Sequence, residues 1–127
     1  MIVGLGLDVV EIGRIARLLD GPPARVERFL ARCFTPAERA FCEGKRDRAC
    51  RYAARFAAKE AAVKALGAPP GISWQDLEVL RSEGRAPTLV LSHRAAAAAV
   101  RLGMTRTHLT ITHDGGVAAA VVVLEGP

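Results

Sequence analysis

Large apolar residues alternate with small or polar ones through the opening segment, "MIVGLGLDV", placing Val3, Leu5, Leu7 and Val9 on one face and Ile2, Gly4, Gly6 and Asp8 on the other. A period of two predicts a strand. Its second face is bare at the glycines, so another backbone can approach closely there, and that face ends in a carboxylate. "EIGRIARLLD" then shifts to the helical period, with Ile12, Ile15, Ala16 and Leu19 on one stripe. After "GPP", "ARVERFLARCF" predicts a second short helix. "TPAERAFCEG" carries its own boundaries: Thr35 as cap, Pro36 in the first turn, Glu38 completing a capping box and Gly44 as the stop. Past the charged turn "KRDR", a long helix is predicted from about Arg48 to Leu66, ending at Gly67 before "APPG".

The remaining pattern predicts a strand at "SWQDLEVLR", a turn at "SEGRAP" and a returning strand at "TLVLS". "SHRAAAAAVRLG" follows as a helix capped by Ser92 and closed by Gly103. "THLTITH" and "VAAAVVVLE" form a hairpin about the "DGG" turn. The order predicts an α+β fold, a mostly antiparallel sheet packed against a long central helix. At 127 residues, the expectation is a single domain spanning positions 1–127.

Composition narrows the picture. Half the residues are hydrophobic but only 5% are aromatic, so the core should be aliphatic and alanine-rich, with close backbone approaches. Three cysteines (Cys33, Cys42, Cys50) in no C-x-x-C pair imply free thiols and a reducing compartment. No signal peptide or membrane span is legible, so the expected location is cytoplasmic. The net charge is +5, and residues 14–64 hold thirteen of the eighteen Lys/Arg against six Asp/Glu. That bias favours acidic or phosphate-bearing partners. A nucleic-acid module ranks low, because stacking aromatics are scarce and the basic residues alternate with acids.

Two carboxylates stand out. On a helical wheel, Tyr52, Phe56, Val63 and Leu66 make an apolar arc, and Glu60 lies inside it. Lys64 follows one turn later, while Arg55 and Lys59 occupy the opposite shoulder. An unpaired carboxylate in such a place costs several kcal/mol, so Glu60 needs a partner. Either Lys64 supplies an ion pair at the rim of the core, or Glu60 serves a site. Asp8 ends the first strand beside two glycines, where it could cap the following helix or face a ligand. Two carboxylates with a lysine nearby suit a hard divalent cation holding a phosphate. Glu11 is a weaker candidate in the helix's first turn. "GLGLDV" lacks the third glycine of a dinucleotide fingerprint, and no P-loop is present. His93 reads as a surface residue, whereas His113 ends its strand with Thr112 and Asp114, where polar tips can project into a cleft.

These segments together resemble the holo-acyl-carrier-protein synthases, the short, trimeric class of 4′-phosphopantetheinyl transferases. The resemblance rests on "GLGLDVVEIGRI", "RFAAKEAAVKALG", "WQDLEVL…EGRAP" and "LTITHDGGVAAAVVV", in that order over nearly the whole chain. It implies the 4′-phosphopantetheinyl transferase fold, and transfer of the phosphopantetheine arm of coenzyme A to a serine of an apo acyl carrier protein, with Mg2+ as cofactor and 3′,5′-ADP released. By the same resemblance Asp8 and Glu60 hold the metal, and Lys64 meets the phosphates. Phosphoryl transfer needs mainly positioning and charge neutralisation, so Asp8, Glu60 and Lys64 suffice as the catalytic group, with Glu60, directly or through a metal-bound water, the base for the serine proton. Arg55, Lys59, Lys64, Arg85, Pro87, Thr112 and His113 are the expected contacts for coenzyme A. Arg14 and Arg17 on the first helix, and Arg25 and Arg28 on the second, are expected to dock the acidic carrier. The resemblance further implies a homotrimer with its sites at subunit interfaces, and no nucleic-acid or membrane partner.

Overall fold

The computed structural model describes residues 1–44, 46–82 and 84–127. Lys45 of the "KRDR" turn and Glu83 of the "SEGRAP" turn lie outside the described residues. Among the described residues, five strands and five helices run in the order β1 (Ile2–Glu11), α1 (Ile12–Leu19), α2 (Pro23–Cys33), α3 (Pro36–Cys42), α4 (Arg48–Ala65), β2 (Leu77–Leu80), β3 (Thr88–Leu91), α5 (His93–Arg101), β4 (Arg106–Asp114) and β5 (Val117–Glu125). The class is α+β, as the periodicity predicts. The antiparallel strands divide into a three-stranded sheet, ordered β1-β5-β4, and a separate β2-β3 hairpin.

Helix α4 lies across the larger sheet, and the two glycines of β1 explain how closely. A Cβ added to Gly6 would collide with the Ala61 carbonyl oxygen, and one added to Gly4 with that of Ala65. The bare face of the opening strand is therefore the seat of the long helix. Alanines complete the contact: Ala57, Ala58 and Ala61 of α4 and Ala118 of β5 have no exposed surface. Small side chains on both surfaces let the backbones approach and fix the position of every longer side chain on α4.

Several local expectations change. Residues Trp74–Asp76 form a 3-10 turn and β2 begins only at Leu77, because Ser73 and Asp76 close a capping box that bends the chain first. Ser92 does not cap α5 through its side chain; its hydroxyl donates instead to the Asp76 carbonyl at 3.4 Å. Asp8 is not a helix cap either, since β1 continues to Glu11 and pairs with β5 throughout its second half. The capping box of Thr35 and Glu38 is present as the sequence predicts. So is the β4–β5 hairpin, whose turn residues Gly115 and Gly116 both take positive φ (58° and 84°), the conformation a two-residue turn of this hand demands.

The far face of the larger sheet is uncovered, and it is apolar along β1 and β5. Leu5, Leu7 and Val9 are 64%, 56% and 57% exposed, and Leu7 lies in register with Val121 of β5, which pairs in turn with Thr110 of β4. Among the described residues, no helix is long and apolar enough to cross a membrane.

Candidate active site

Where β1 passes beneath α4, the pleat turns Asp8 toward the helix, in line with Gly4 and Gly6. Lys64 reaches down from α4 and donates to both the Leu7 carbonyl (3.0 Å) and Asp8 Oδ1 (3.1 Å). Among the described residues, Asp8 and not Glu60 is the ion-pair partner of Lys64. That removes the rim ion pair as an explanation of Glu60. The Glu60 carboxyl is half-buried one turn before Lys64. Burial and the charge of Asp8 push it above its ordinary range, and Lys64 and Arg14 offset this only in part. Two carboxylates thus confront each other with incomplete neutralisation, a donor set of hard oxygens suited to a divalent cation. The described residues contain no group of three or more His, Cys, Asp or Glu able to hold a metal, so any ion here would rely on these two and on its other ligands.

A second feature lies on the opposite flank of α4. A cavity of about 700 Å³ is lined by Arg51 and Arg55 of α4, Arg81 after β2, and Thr112 and His113 at the end of β4, with Asp47 and Cys50 at the helix start. Arg55 is 3% exposed. Its Nε finds no hydrogen-bond partner among the described residues, while its Nη1 donates to the Arg51 carbonyl at 3.2 Å and its guanidinium stacks on Phe41, 4.2 Å from the ring centre. Arg51 is held by Asp47 at 2.8 Å. A concave surface carrying three guanidinium groups is suited to anions.

One expected ligand contact lies in the core. Lys59 is fully buried; its ammonium sits 2.6 Å from Glu38 Oε1 and donates to the Trp74 carbonyl at 2.9 Å. Its ammonium is enclosed by protein and packed as part of the core. Arg55, Thr112 and His113 do come together around one cavity. The hairpin contributes Arg81 and Gly84 to that lining, not Arg85 and Pro87. Arg51 and Arg81 add to the expected set. Arg51 was legible as the i−4 neighbour of Arg55, but nothing local marks Arg81.

Residues 4–122 match the family model of the 4′-phosphopantetheinyl transferase superfamily. The chain belongs to that superfamily. Among curated relatives, it is 70% identical over 126 residues to the holo-[acyl-carrier-protein] synthase of Anaeromyxobacter dehalogenans, covering 99% of this chain and 98% of the relative. Among solved structures it is similar to the Helicobacter pylori holo-[acyl-carrier-protein] synthase in complex with coenzyme A, with a TM-score of 0.79, 32% identity, and coverage of 95% and 99%. A Bacillus anthracis synthase in complex with CoA (3′,5′-ADP) gives a TM-score of 0.78 at 34% identity, covering 100% of this chain and 99% of that one. The resemblance drawn from the sequence motifs, and the fold it implies, are borne out.

In this member of the superfamily, Arg14, Arg17, Arg25 and Arg28, the arginines expected to dock a carrier, all lie on exposed positions of the first two helices. Arg14 is near enough to Glu60 for its charge to be felt there. Arg17 sits 3.8 Å from Glu11, which places Glu11 on the solvent side and away from the carboxylate pair.

Proposed function

We propose that this chain transfers the 4′-phosphopantetheine arm of coenzyme A to a serine hydroxyl of an apo acyl carrier protein, in a Mg2+-dependent reaction that releases 3′,5′-ADP. The observation that carries the reading is the meeting of Asp8, Glu60 and Lys64 on the β1 side of α4. Asp8 and Glu60 would hold Mg2+, which when bound neutralises charge on the pyrophosphate. The serine oxygen attacks the phosphorus that bears the pantetheine arm, and the bond from that phosphorus to the oxygen of 3′,5′-ADP breaks. Glu60, its carboxyl raised by burial and by Asp8, is the proton acceptor for the serine hydroxyl. Lys64, anchored by Leu7 and Asp8, presents its charge to the departing phosphate.

The cationic cavity fits the phosphates of the nucleotide, but Glu60 and Arg55 are about 140° apart around α4, so one protomer cannot readily turn both toward one ligand. A second copy resolves this. The uncovered apolar face of Leu5, Leu7 and Val9 supports self-association, and a homotrimer would bring the carboxylates of one copy to the arginines of the next. Arg14, Arg17, Arg25 and Arg28 would receive the acidic carrier beside the carboxylates. The three free cysteines support a reducing, cytoplasmic setting.

The test is direct: the protein is incubated with coenzyme A, Mg2+ and an apo carrier protein. The carrier should gain the mass of one phosphopantetheine arm, with 3′,5′-ADP formed in equal amount. An unchanged carrier mass would defeat the reading.

A further inference from the structure

The cationic cavity holds one group for which phosphate binding has no use. Cys50 is half-buried on the first turn of α4 and lines the same cavity as Arg51, Arg55 and Arg81. The other two thiols differ sharply from it: Cys33 and Cys42 are 5% and 0% exposed within the core. Burial also pushes the Cys42 thiol up to about 12, which leaves it protonated and inert. Cys50 is therefore the one cysteine that a small molecule can reach in the folded chain. Arg55, 3% exposed and with its Nε unpartnered among the described residues, independently lines the same cavity and brings a guanidinium there to receive an anion. A thiol and an anion subsite share one chamber of about 700 Å³, the scale of a small-molecule pocket.

We propose that Cys50 is a thiol-exchange site selective for small disulfides carrying a carboxylate or phosphate near the sulfur, their anionic arm held by Arg51, Arg55 and Arg81. The chemistry needs no oxidant beyond the disulfide itself. Cys50 first loses its proton to solvent. Its thiolate attacks one sulfur of R–S–S–R, the Cys50–S–S–R bond forms as the original S–S bond breaks, and R–S⁻ departs with the electron pair. The arm left on Cys50 then occupies the anion subsite, so oxidation of the cell's small thiols closes the cavity and a reducing agent reopens it. The groups around Cys50 are Asp47, Arg51 and Arg55 from the α4 end, Arg81 from the hairpin and His113 from β4. Burial and then Asp47 push the Cys50 thiol up, and Arg51 pulls it back. Exchange accordingly quickens as the pH rises above neutrality.

The experiment compares two reagents on the intact chain: 5,5′-dithiobis(2-nitrobenzoate), which has a carboxylate on each arm, and cystamine, which has an ammonium on each. Each rate is divided by that of the same reagent with N-acetylcysteine, and the labelled residue is located by peptide mass. The expected result is label on Cys50 alone, with the normalised rate roughly tenfold higher for the carboxylate reagent. Arg81→Gln, an exposed change that leaves the core intact, should shrink that ratio, and Cys50→Ser should take up no label. Equal normalised rates, a ratio unmoved by Arg81→Gln, or label on Cys33 or Cys42 in the folded protein would each overturn the proposal. Because labelling requires no coenzyme A, its failure leaves the transfer reaction standing, and a failed transfer assay leaves this result standing.

Discussion

Lys59 Nζ lies 2.6 Å from Glu38 Oε1, and neither side chain has any exposed surface. Glu38 also accepts from the Thr35 amide at 2.8 Å and the Val79 amide at 2.8 Å. One carboxylate thus ties the start of α3, the middle of α4 and strand β2 into a unit, and β2 leads directly to Arg81 in the cavity wall.

Breaking this pair should cost far more stability than any surface ion pair. Lys59→Met leaves the Glu38 charge buried without its counterion, at about 3–5 kcal/mol. Glu38→Leu should be at least as costly, because it also strands two amides. Urea unfolding should show both midpoints shifted well down. If Lys59→Met instead raised KM for coenzyme A with an unchanged midpoint, Lys59 would be a ligand contact after all.

The carboxylate pair should behave in the opposite way. Glu60→Gln removes a charge that burial and Asp8 already disfavour, so thermal stability should hold or rise. Turnover should nevertheless fall by roughly 10²–10⁴-fold, the usual loss with a general base. A drop in melting temperature parallel to the loss of rate would assign Glu60 a structural role instead.

Gly6→Ala tests the seat of the helix. The added Cβ would lie 2.8 Å from the Ala61 carbonyl carbon and 2.8 Å from the Ala65 nitrogen. All of these are backbone atoms with no rotamer to yield, so α4 must lift off β1. Overpacking of this kind costs about 1–3 kcal/mol or more. The displacement also draws Lys64 away from Asp8 two residues on, so activity at a temperature where the variant remains folded should fall as well. Wild-type kinetics in a folded Gly6→Ala protein would contradict this account of the site.

Acid should unfasten the entrance to α4. Burial raises the Glu43 carboxyl, but hydrogen bonds from the Tyr52 hydroxyl and from Arg48 outweigh it and hold the group below its ordinary 4.5. A depressed carboxylate contributes stability that is present above its unfolded value and lost as pH falls through the folded one. The stability curve should steepen below about pH 4.5, and Glu43→Gln should flatten that limb while lowering stability at neutral pH. An identical acid limb in the variant would assign the loss to other carboxylates.

The apolar sheet face supplies the last test. Leu7→Asp places a charge in the middle of Leu5, Leu7 and Val9 on a side chain that is 56% exposed in the lone chain. Light scattering should show the proposed homotrimer give way to monomer, with coenzyme A turnover lost alongside. A variant that stayed trimeric would move the interface elsewhere.

Reading the chain in order, both periods, the box at Thr35 and Glu38, and the glycine turn of the last hairpin are visible without coordinates, because each depends on residues within a few positions of one another. Asp8 and Glu60 were visible for a related reason: a carboxylate on an otherwise small or apolar face violates the local pattern. The wheel assigned Lys59 and Arg55 a common shoulder, yet one is sealed against Glu38 and the other lines a cavity. Angle around a helix says where a side chain leaves the backbone, not what stands opposite.

The amino-acid sequence alone determined the elements, their order and the two acidic residues out of place among apolar neighbours, since short-range sterics and solvation act within a turn or a pleat. Only the tertiary structure decided that Lys64 pairs with Asp8, that Lys59 belongs to the core, and that Arg51, Arg55 and Arg81 share a chamber with Cys50. Those outcomes depend on groups tens of residues apart being packed to hydrogen-bonding distance, and no local period encodes which of several lysines or arginines will arrive there.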